Sequence, residues 1–390
     1  MRCAVVTTSR ADYGLLRWPM HAIGASGKLE LLTVVGGSHL SSRHGMTVRE
    51  IRADGFEIAA EVDHIVDDMS DVGVATSMGL ALSGFAKTYD ALKPDLVIVL
   101  GDRFEVYAAV AAATILRRPV AHLCGGDVTE GAYDDAFRHG ISKAASLHFP
   151  STTEAAQRLK QMGEPSERIF MVGSPGLDAL HRISWRDRAT TFAEIGLRPR
   201  KRNVIVTYHP VTREPGAGEQ QIRALTDALS AYGDDIGIVF TGVNADSEGD
   251  RLAAHIQTYA AGRENVRLVL SLGQTGYLNA VRHMDAVVGN SSSGLYEVPS
   301  LGIPTVNIGN RQAGRLKAAS VIDTPGTDAT SIQAALEEAF RLYCSQVTNP
   351  YGDGHSSGRI VAALEQFSAN PKALLRKSFI DLPTASDPTS

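Results

Sequence analysis

Short apolar runs rich in β-branched residues recur at positions 3–7, 31–35, 96–100, 120–124, 147–150 and 169–172. A second series follows at 204–208, 236–241, 266–270, 286–288, 305–308 and 321–322. The runs show no strict alternation of apolar and polar positions, which is the signature of strands covered on both faces. Segments of helical character separate them, for instance 74–92 and 222–231. Strands alternating with helices predict parallel sheets with helices on both sides. A polar, arginine-rich stretch at 183–203 parts the two series. The pattern therefore predicts an α/β chain of two doubly wound, Rossmann-like domains facing each other across a cleft. The predicted bounds are 1–182 and 183–356, with a final helix and tail at 357–390.

Ligands of such sheets sit beyond the C-terminal ends of the strands. Polar clusters fall at those places. The first half has Thr7-Thr8-Ser9-Arg10, Gly36-Gly37-Ser38-His39, Gly101-Asp102-Arg103 and Cys124-Gly125-Gly126-Asp127. The second has His209-Pro210, Gly242-Val243-Asn244-Ala245-Asp246, Gly289 to Gly294 and Gly309-Asn310-Arg311.

The chain has 390 residues, 44% of them hydrophobic and 21% charged. That is room for about two or three folded domains and argues against disorder. Lys and Arg number 38 against 43 Asp and Glu, a net charge of −5, which makes a nucleic-acid partner a poor fit. No apolar run approaches the ~18 residues that cross a bilayer. The chain opens on a strand-like run instead of a leader, and its three cysteines, Cys3, Cys124 and Cys344, form no C-x-x-C pair. Both features point to a reducing cytoplasm, with no membrane partner, disulfide framework or zinc site. The P-loop, G-x-G-x-x-G, H-E-x-x-H and G-x-S-x-G patterns are missing, so nicotinamide, flavin, metal and serine-nucleophile chemistry have no sequence support.

Several clusters carry chemistry under one reading and ordinary structure under another. The run from Gly289 to Gly294, with Ser291, Ser292 and Ser293, is either a serine-rich cap or a cradle for a diphosphate. Glu297 is either a first-turn glutamate or an acceptor for ribose hydroxyls. Arg311 and Arg10 each follow a strand end, and each is either a solvated arginine or a phosphate ligand. His209 closes the run 204–208 and is either structural or in contact with phosphate or sugar. Asp102 is either a helix cap or a carboxylate paired with Arg103. Asp134, Asp135, Arg138, His139 and Lys143 have near-helical spacing. They form either a solvated ion-pair face or an acid–base cluster beside Asp127.

Taken together, these strings resemble the hydrolysing UDP-N-acetylglucosamine 2-epimerases of sialic-acid biosynthesis. The resemblance runs from Thr8-Ser9-Arg10-Ala11-Asp12-Tyr13-Gly14 through Leu100-Gly101-Asp102-Arg103-Phe104-Glu105 and Gly125-Gly126-Asp127-Val128-Thr129-Glu130-Gly131. It continues through Tyr133-Asp134-Asp135, Arg138-His139, His209-Pro210, Asn244-Ala245-Asp246, the Gly289 to Gly294 run and Gly309-Asn310-Arg311-Gln312-Ala313-Gly314-Arg315. It implies a glycosyltransferase-B-like fold whose last helix returns to the first domain. UDP would be held by Ser291, Ser292, Glu297, Arg311 and Arg10, with His209 near the phosphates. The catalytic carboxylates would be Asp102 and Asp134, with Asp127 and His209 completing the catalytic set. His39, Arg103, Cys124, Arg138 and Asn244 would contact or support the sugar. A homodimer is implied by analogy. Cys124 departs from the family, which usually has glutamate or histidine there, and the family often has glutamate where Asp127 stands. These departures leave open an altered substrate choice, or an acid–base role shifted onto Asp127 or Asp134.

The implied reaction converts UDP-N-acetylglucosamine and water to N-acetylmannosamine and UDP. The C2 proton is not α to a carbonyl, so inversion requires elimination of UDP to a glycal and hydration of that glycal. Asp102 is expected to take the C2 proton and Asp134 to stabilise charge at C1, or the reverse. No redox cofactor or metal is demanded. The alternatives are a hydrolysing 2-epimerase of a UDP-2,4-diacetamido-trideoxyhexose, a non-hydrolysing epimerase, a catalytically silent sugar-nucleotide binder and a glycosyltransferase.

Overall fold

The computed structural model describes residues 1–68, 70–128, 134–209, 217–242 and 247–381. The chain divides into two compact units, residues 1–179 with 351–390, and residues 180–350. The first unit runs β1 (Arg2–Thr7), α1 (Arg10–Gly24), β2 (Glu30–Gly36), α2 (Val48–Ala53), β3 (Ile58–Val62), α3 (Asp71–Leu92), β4 (Leu96–Leu100), α4 (Phe104–Ile115), β5 (Val120–Leu123), α5 (Asp134–Ala144), β6 (Leu147–Phe149) and α6 (Thr153–Gln161). Its strands form one parallel sheet in the order β3-β2-β1-β4-β5-β6. Successive residues of a strand belong to opposite faces. Val5, Ile98 and Leu123 join the core beneath α1, while Ala4, Val97 and Val99 join the core beneath α3 and α4. Both faces are apolar, which is why the runs do not alternate.

The second unit runs α7 (Arg188–Ile195), β7 (Arg202–Thr207), α8 (Ala217–Ser230), β8 (Ile236–Thr241), α9 (Ser247–Ala260), β9 (Val266–Val269), α10 (Gly273–Arg282), β10 (Ala286–Gly289), α11 (Ser293–Tyr296), β11 (Thr305–Ile308), β12 (Val321–Thr324) and α12 (Ala329–Ala339). Its parallel sheet has the order β12-β11-β10-β7-β8-β9. In each unit the winding reverses beside the first strand, between β1 and β4 and between β7 and β10. A crevice opens beyond the strand ends at such a reversal.

Two predicted features differ from the structure. The apolar run 169–172 is not a strand: only Ile169 makes a bridge, to His148. Its apolar character comes from filling the core, with Phe170 stacked on Phe149 at 5.8 Å and Val172 buried, before Gly173-Ser174-Pro175 turns the chain. Conversely, β3 is a strand that the apolar pattern did not mark. It lies at the sheet edge and is only partly covered, so Ala59, Ala60 and Glu61 suffice there.

Helix α13 (Ser356–Glu365) belongs to the first unit. Its Ile360, Ala363 and Leu364 pack with Leu16, Met20 and Ile23 of α1. Asp178 accepts the backbone N–H groups of Ser356 (2.9 Å) and Ser357 (2.7 Å) at its start. The segment that follows is pinned by a buried charge. Glu164, fully buried, accepts from Lys143 Nζ, His148 Nε2 and Lys377 Nζ, each at 2.8 Å. Lys377 also donates to the carbonyls of Lys143 (2.6 Å) and Ala145 (2.7 Å). Burial pushes the Glu164 carboxyl up, but the three donors outweigh it and hold it at about 2.

A carboxyl lowered in the folded state gives stability that is present above its unfolded value of ~4.5 and is lost as pH falls toward the folded value. Replacing Glu164 by Gln leaves Lys143 and Lys377 without their countercharge, and urea melts at pH 7 should show a loss of about 3 kcal/mol. The wild-type melts should weaken between pH 5 and 2 more steeply than those of the variant.

Candidate active site

The first switch point is built around Asp12. Ser9 caps α1, and the Asp12 carboxylate accepts from the backbone N–H groups of Thr8 (2.8 Å), Ser9 (2.6 Å) and Tyr13 (3.1 Å). It also accepts from the Ser9 hydroxyl at 2.6 Å. This capping box locks the turn that leaves β1. Arg10, the first residue of the helix, projects outward and reaches Glu50 at 3.5 Å. His39 is buried, its Nε2 against Thr7 Oγ1 (2.9 Å) and its Nδ1 against Thr47 Oγ1 (2.7 Å). Both ring nitrogens are thus spent within the fold, and His39 braces the end of β1.

A cavity of about 410 Å³ opens beside this turn, lined by Ser9, Asp12, Gly101, Asp102, Arg103 and Asp134 among others. Gly101 has φ +78, a conformation that L side chains resist. It turns the chain out of β4 so that Asp102 faces the cavity. Asp102 is ion-paired with Arg138, whose side chain is only 7% exposed. The same guanidinium donates to Asp135 Oδ1 (2.6 Å) and to the Asp127 carbonyl (3.0 Å). Asp134 has no ion-pair partner among the described residues. Its carboxyl is pushed up, chiefly by burial and then by the Asp102 charge, and the pull of Arg138 and Arg103 is smaller. Arg103 is held by the fully buried Glu105, at 2.7 Å.

Cys124 follows β5 with φ +59. Its thiol is pushed up to about 12, first by burial and then by Asp127 and Asp102. At neutral pH it remains a protonated thiol. Asp127 accepts from Ser151 Oγ at 3.3 Å.

In the second unit, β7 and β10 are clamped at the switch point by one side chain. Asn290 Oδ1 accepts the His209 N–H, and Asn290 Nδ2 donates to the His209 carbonyl, both at 2.8 Å. A Cβ on Gly289 would lie 2.0 Å from the Thr207 carbonyl oxygen, so only glycine allows this approach. The Asn290 carbonyl accepts from Gln312 Nε2 (2.7 Å) and Arg311 Nη1 (3.1 Å).

Ser291, Ser293 and Glu297 line a cavity of about 340 Å³ with Thr207, Gln274 and Tyr277. Glu297 Oε2 is buried with no hydrogen-bond partner, and burial pushes its carboxyl up. An orphaned acceptor of this kind suits ligand hydroxyls. Arg311 has no carboxylate partner among the described residues. Its guanidinium is disfavoured by partial withdrawal from water and by Arg315. Two neighbouring cations with no countercharge among the described residues suit a bound anion.

The residues expected to act thus fall into two sets. Asp102, Arg103, Cys124, Asp127, Asp134 and Arg138 gather at the ends of β4 and β5, with Arg10 at the neighbouring turn. His209, Ser291, Ser292, Glu297 and Arg311 gather at the ends of β7, β10 and β11. Asn244 lies outside the described residues. The sequence did not single out Asn290 as a clamp or Glu105 as the anchor of Arg103. A buried amide or carboxylate within a motif is visible only once its partners are in place. No group of metal-ligating side chains that could hold an ion occurs among the described residues. No helix among them is long and apolar enough to cross a membrane.

This pair of doubly wound units is the fold of the UDP-sugar 2-epimerases. The solved UDP-GlcNAc 2-epimerase of Methanocaldococcus jannaschii superposes with a TM-score of 0.76 at 16% identity, over 94% of this chain and 100% of that one. The Neisseria meningitidis enzyme, solved with UDP-GlcNAc, gives 0.73 at 18% identity, over 94% and 100%. A family model described as UDP-N-acetylglucosamine 2-epimerase matches residues 21–365, and the chain belongs to that family. Among its relatives is the UDP-N,N'-diacetylbacillosamine 2-epimerase (hydrolyzing) of Legionella pneumophila, 34% identical over 95% of this chain and 97% of that protein. The GDP/UDP-N,N'-diacetylbacillosamine 2-epimerase (hydrolyzing) of Campylobacter jejuni is 32% identical over 98% and 99%. Polysialic acid biosynthesis protein P7 of Escherichia coli is 32% identical over 97% of each.

Asp12 is satisfied by the turn it closes, so Asp12→Ala should destabilise the protein by about 2 kcal/mol through lost caps and orphaned N–H groups. Denaturant midpoints at pH 7 measure that loss.

Proposed function

We propose that the protein is a hydrolysing 2-epimerase whose substrate is a UDP-2,4-diacetamido-trideoxyhexose. This revises the UDP-N-acetylglucosamine substrate expected from the sequence. The observation that carries it is the identity of 32–34%, over nearly the whole chain, to two proteins named as hydrolysing diacetylbacillosamine 2-epimerases. UDP-GlcNAc is the competing substrate, favoured by the Neisseria meningitidis UDP-N-acetylglucosamine 2-epimerase, 28% identical over 98% of this chain.

The second unit holds the nucleotide. Glu297, with its unpartnered Oε2, accepts from the ribose hydroxyls. Ser291 and Ser292 donate to the diphosphate, with Arg311 supplying charge and His209 beside them. Arg10 is the further cation proposed for the diphosphate. As the C1–O bond breaks, negative charge gathers on the departing phosphate, and these donors stabilise it there.

The first unit handles the proton. The two carboxyls have different surroundings, and their roles differ accordingly. Asp102, ion-paired with Arg138, stabilises positive charge at C1. Asp134, unpaired and shifted up, takes the C2 proton as UDP leaves, which gives a glycal. Water then adds its hydroxyl to C1 while Asp127 relays the water's proton to C2 from the opposite face, and the proton held by Asp134 passes to solvent. The products are the free 2-epimeric sugar and UDP, so atoms balance with one water consumed. Arg103, held by Glu105, and the neutral Cys124 thiol border the sugar.

The test is incubation in heavy water with UDP-diacetamidotrideoxyhexose and with UDP-GlcNAc, followed by phosphorus and proton NMR. The expected result is accumulating UDP and a deuterated C2 in the released sugar, fastest with the diacetamido substrate. Faster turnover of UDP-GlcNAc would overturn the substrate, and an equilibrium of two UDP-sugars without free UDP would overturn hydrolysis. UDP binding without exchange would mark a silent binder.

A base must be ionised to act. The upward shift of Asp134 therefore places the acid limb of the kcat/KM profile above the ordinary carboxyl value of ~4. Asp134→Asn should lower kcat by about 10²–10⁴-fold and remove that limb.

A further inference from the structure

We propose that His122 is a positioning residue for Asp102, acting through the peptide that joins Gly101 to Asp102. The assignment rests on the reading of Asp102 as part of the reaction machinery. His122 lies on β5 and is fully buried. Its Nε2 is 2.8 Å from the Gly101 carbonyl oxygen, and its Nδ1 is 3.0 Å from Ser142 Oγ on α5.

The roles in this chain of bonds follow from chemistry alone. A carbonyl can only accept, so Nε2 carries the proton. Nδ1 of the neutral ring then accepts, and Ser142 donates. Burial, the largest influence, pushes His122 down to about 3, so the ring stays neutral at any pH where the protein works.

Gly101 is thereby held by both of its polar groups. Its N–H donates to the Leu123 carbonyl at 3.1 Å, and its C=O accepts from His122. A residue at φ +78 has no sheet ladder to fix the next peptide, and the histidine supplies that constraint from the neighbouring strand. Asp102 leaves this pinned peptide to meet Arg138. The loop after β5 is built to permit the arrangement. A Cβ on Gly125 would fall 2.6 Å from His122 Nδ1 and 2.7 Å from Ser142 Oγ.

Crystal structures and kinetics of His122→Gln and His122→Leu test the proposal. The Gln amide N–H occupies the place of Nε2–H. Leu fills the space but cannot donate. The expected structure of the Leu variant has the 101–102 peptide rotated and Asp102 displaced from Arg138, whereas the Gln variant keeps both. A displacement of ~1 Å at a reacting group costs about 10²-fold. The Leu variant should therefore lose about that much kcat with KM little changed, and Gln should restore most of it. A role confined to packing would instead lower the melting temperature and leave kcat per folded molecule intact.

Asp102 remaining against Arg138 in the Leu structure, or equal loss of kcat in both variants, would overturn the proposal. Gly125→Ala and Ser142→Ala, which disturb the same bonds from outside the ring, carry the test if the Leu variant does not fold. Wild-type protein that turns over no UDP-sugar would defeat the functional reading. The crystal structures would still decide the positioning.

Discussion

One buried guanidinium organises the first unit's site. Arg138 reaches Asp102 after β4, Asp135 on its own helix and the Asp127 carbonyl after β5. Asp102 is 36 residues from Arg138 in sequence and meets it because β4 and β5 lie side by side in the parallel sheet. Removing a charge of this kind from water is costly unless every donor finds an acceptor. The acids gathered around it are part of what makes the cation tolerable, and it in turn fixes where they point.

The same economy explains how two similar acids come to differ. The cation absorbs the charge of Asp102, while Asp134 sits beside an anion in a half-covered wall and is pushed up. The thiol between Asp127 and Asp102 adds no charge, because burial and both acids keep it protonated. In the second unit the imbalance is reversed. Arg311 and Arg315 adjoin each other without a carboxylate partner among the described residues, and the Glu297 oxygen that lacks a partner lines a cavity of the same unit.

Much of the fold was legible because buried parallel strands leave an unmistakable trace of continuous apolar runs. Eleven of the twelve predicted runs correspond to strands of the two sheets, and the positions just beyond them hold the polar clusters. The failures share a cause. The run 169–172 is buried without pairing, and β3 pairs without being fully buried, so covered area misreports both. Among the residues expected to act, Asp102 and Asp134 were picked out by their placement after a strand and at a helix start, and both line one cavity. His39 showed the same outward sign, yet its two ring nitrogens are consumed by threonines. His122 gave no sign at all, since a histidine inside an apolar strand looks like filler until the carbonyl across from it is seen.

The second unit interrupts the first in the chain: residues 180–350 come between residues 1–179 and the segment from 351 onward that completes them. A ribosome therefore delivers the middle unit before the last helix of the outer one. Until α13 covers Leu16, Met20 and Ile23, that face of α1 stays open to water or to a chaperone. Glu164 likewise waits for Lys377. The nascent chain thus carries a finished unit inside an unfinished one, and the order of synthesis makes the outer unit the last part to become complete.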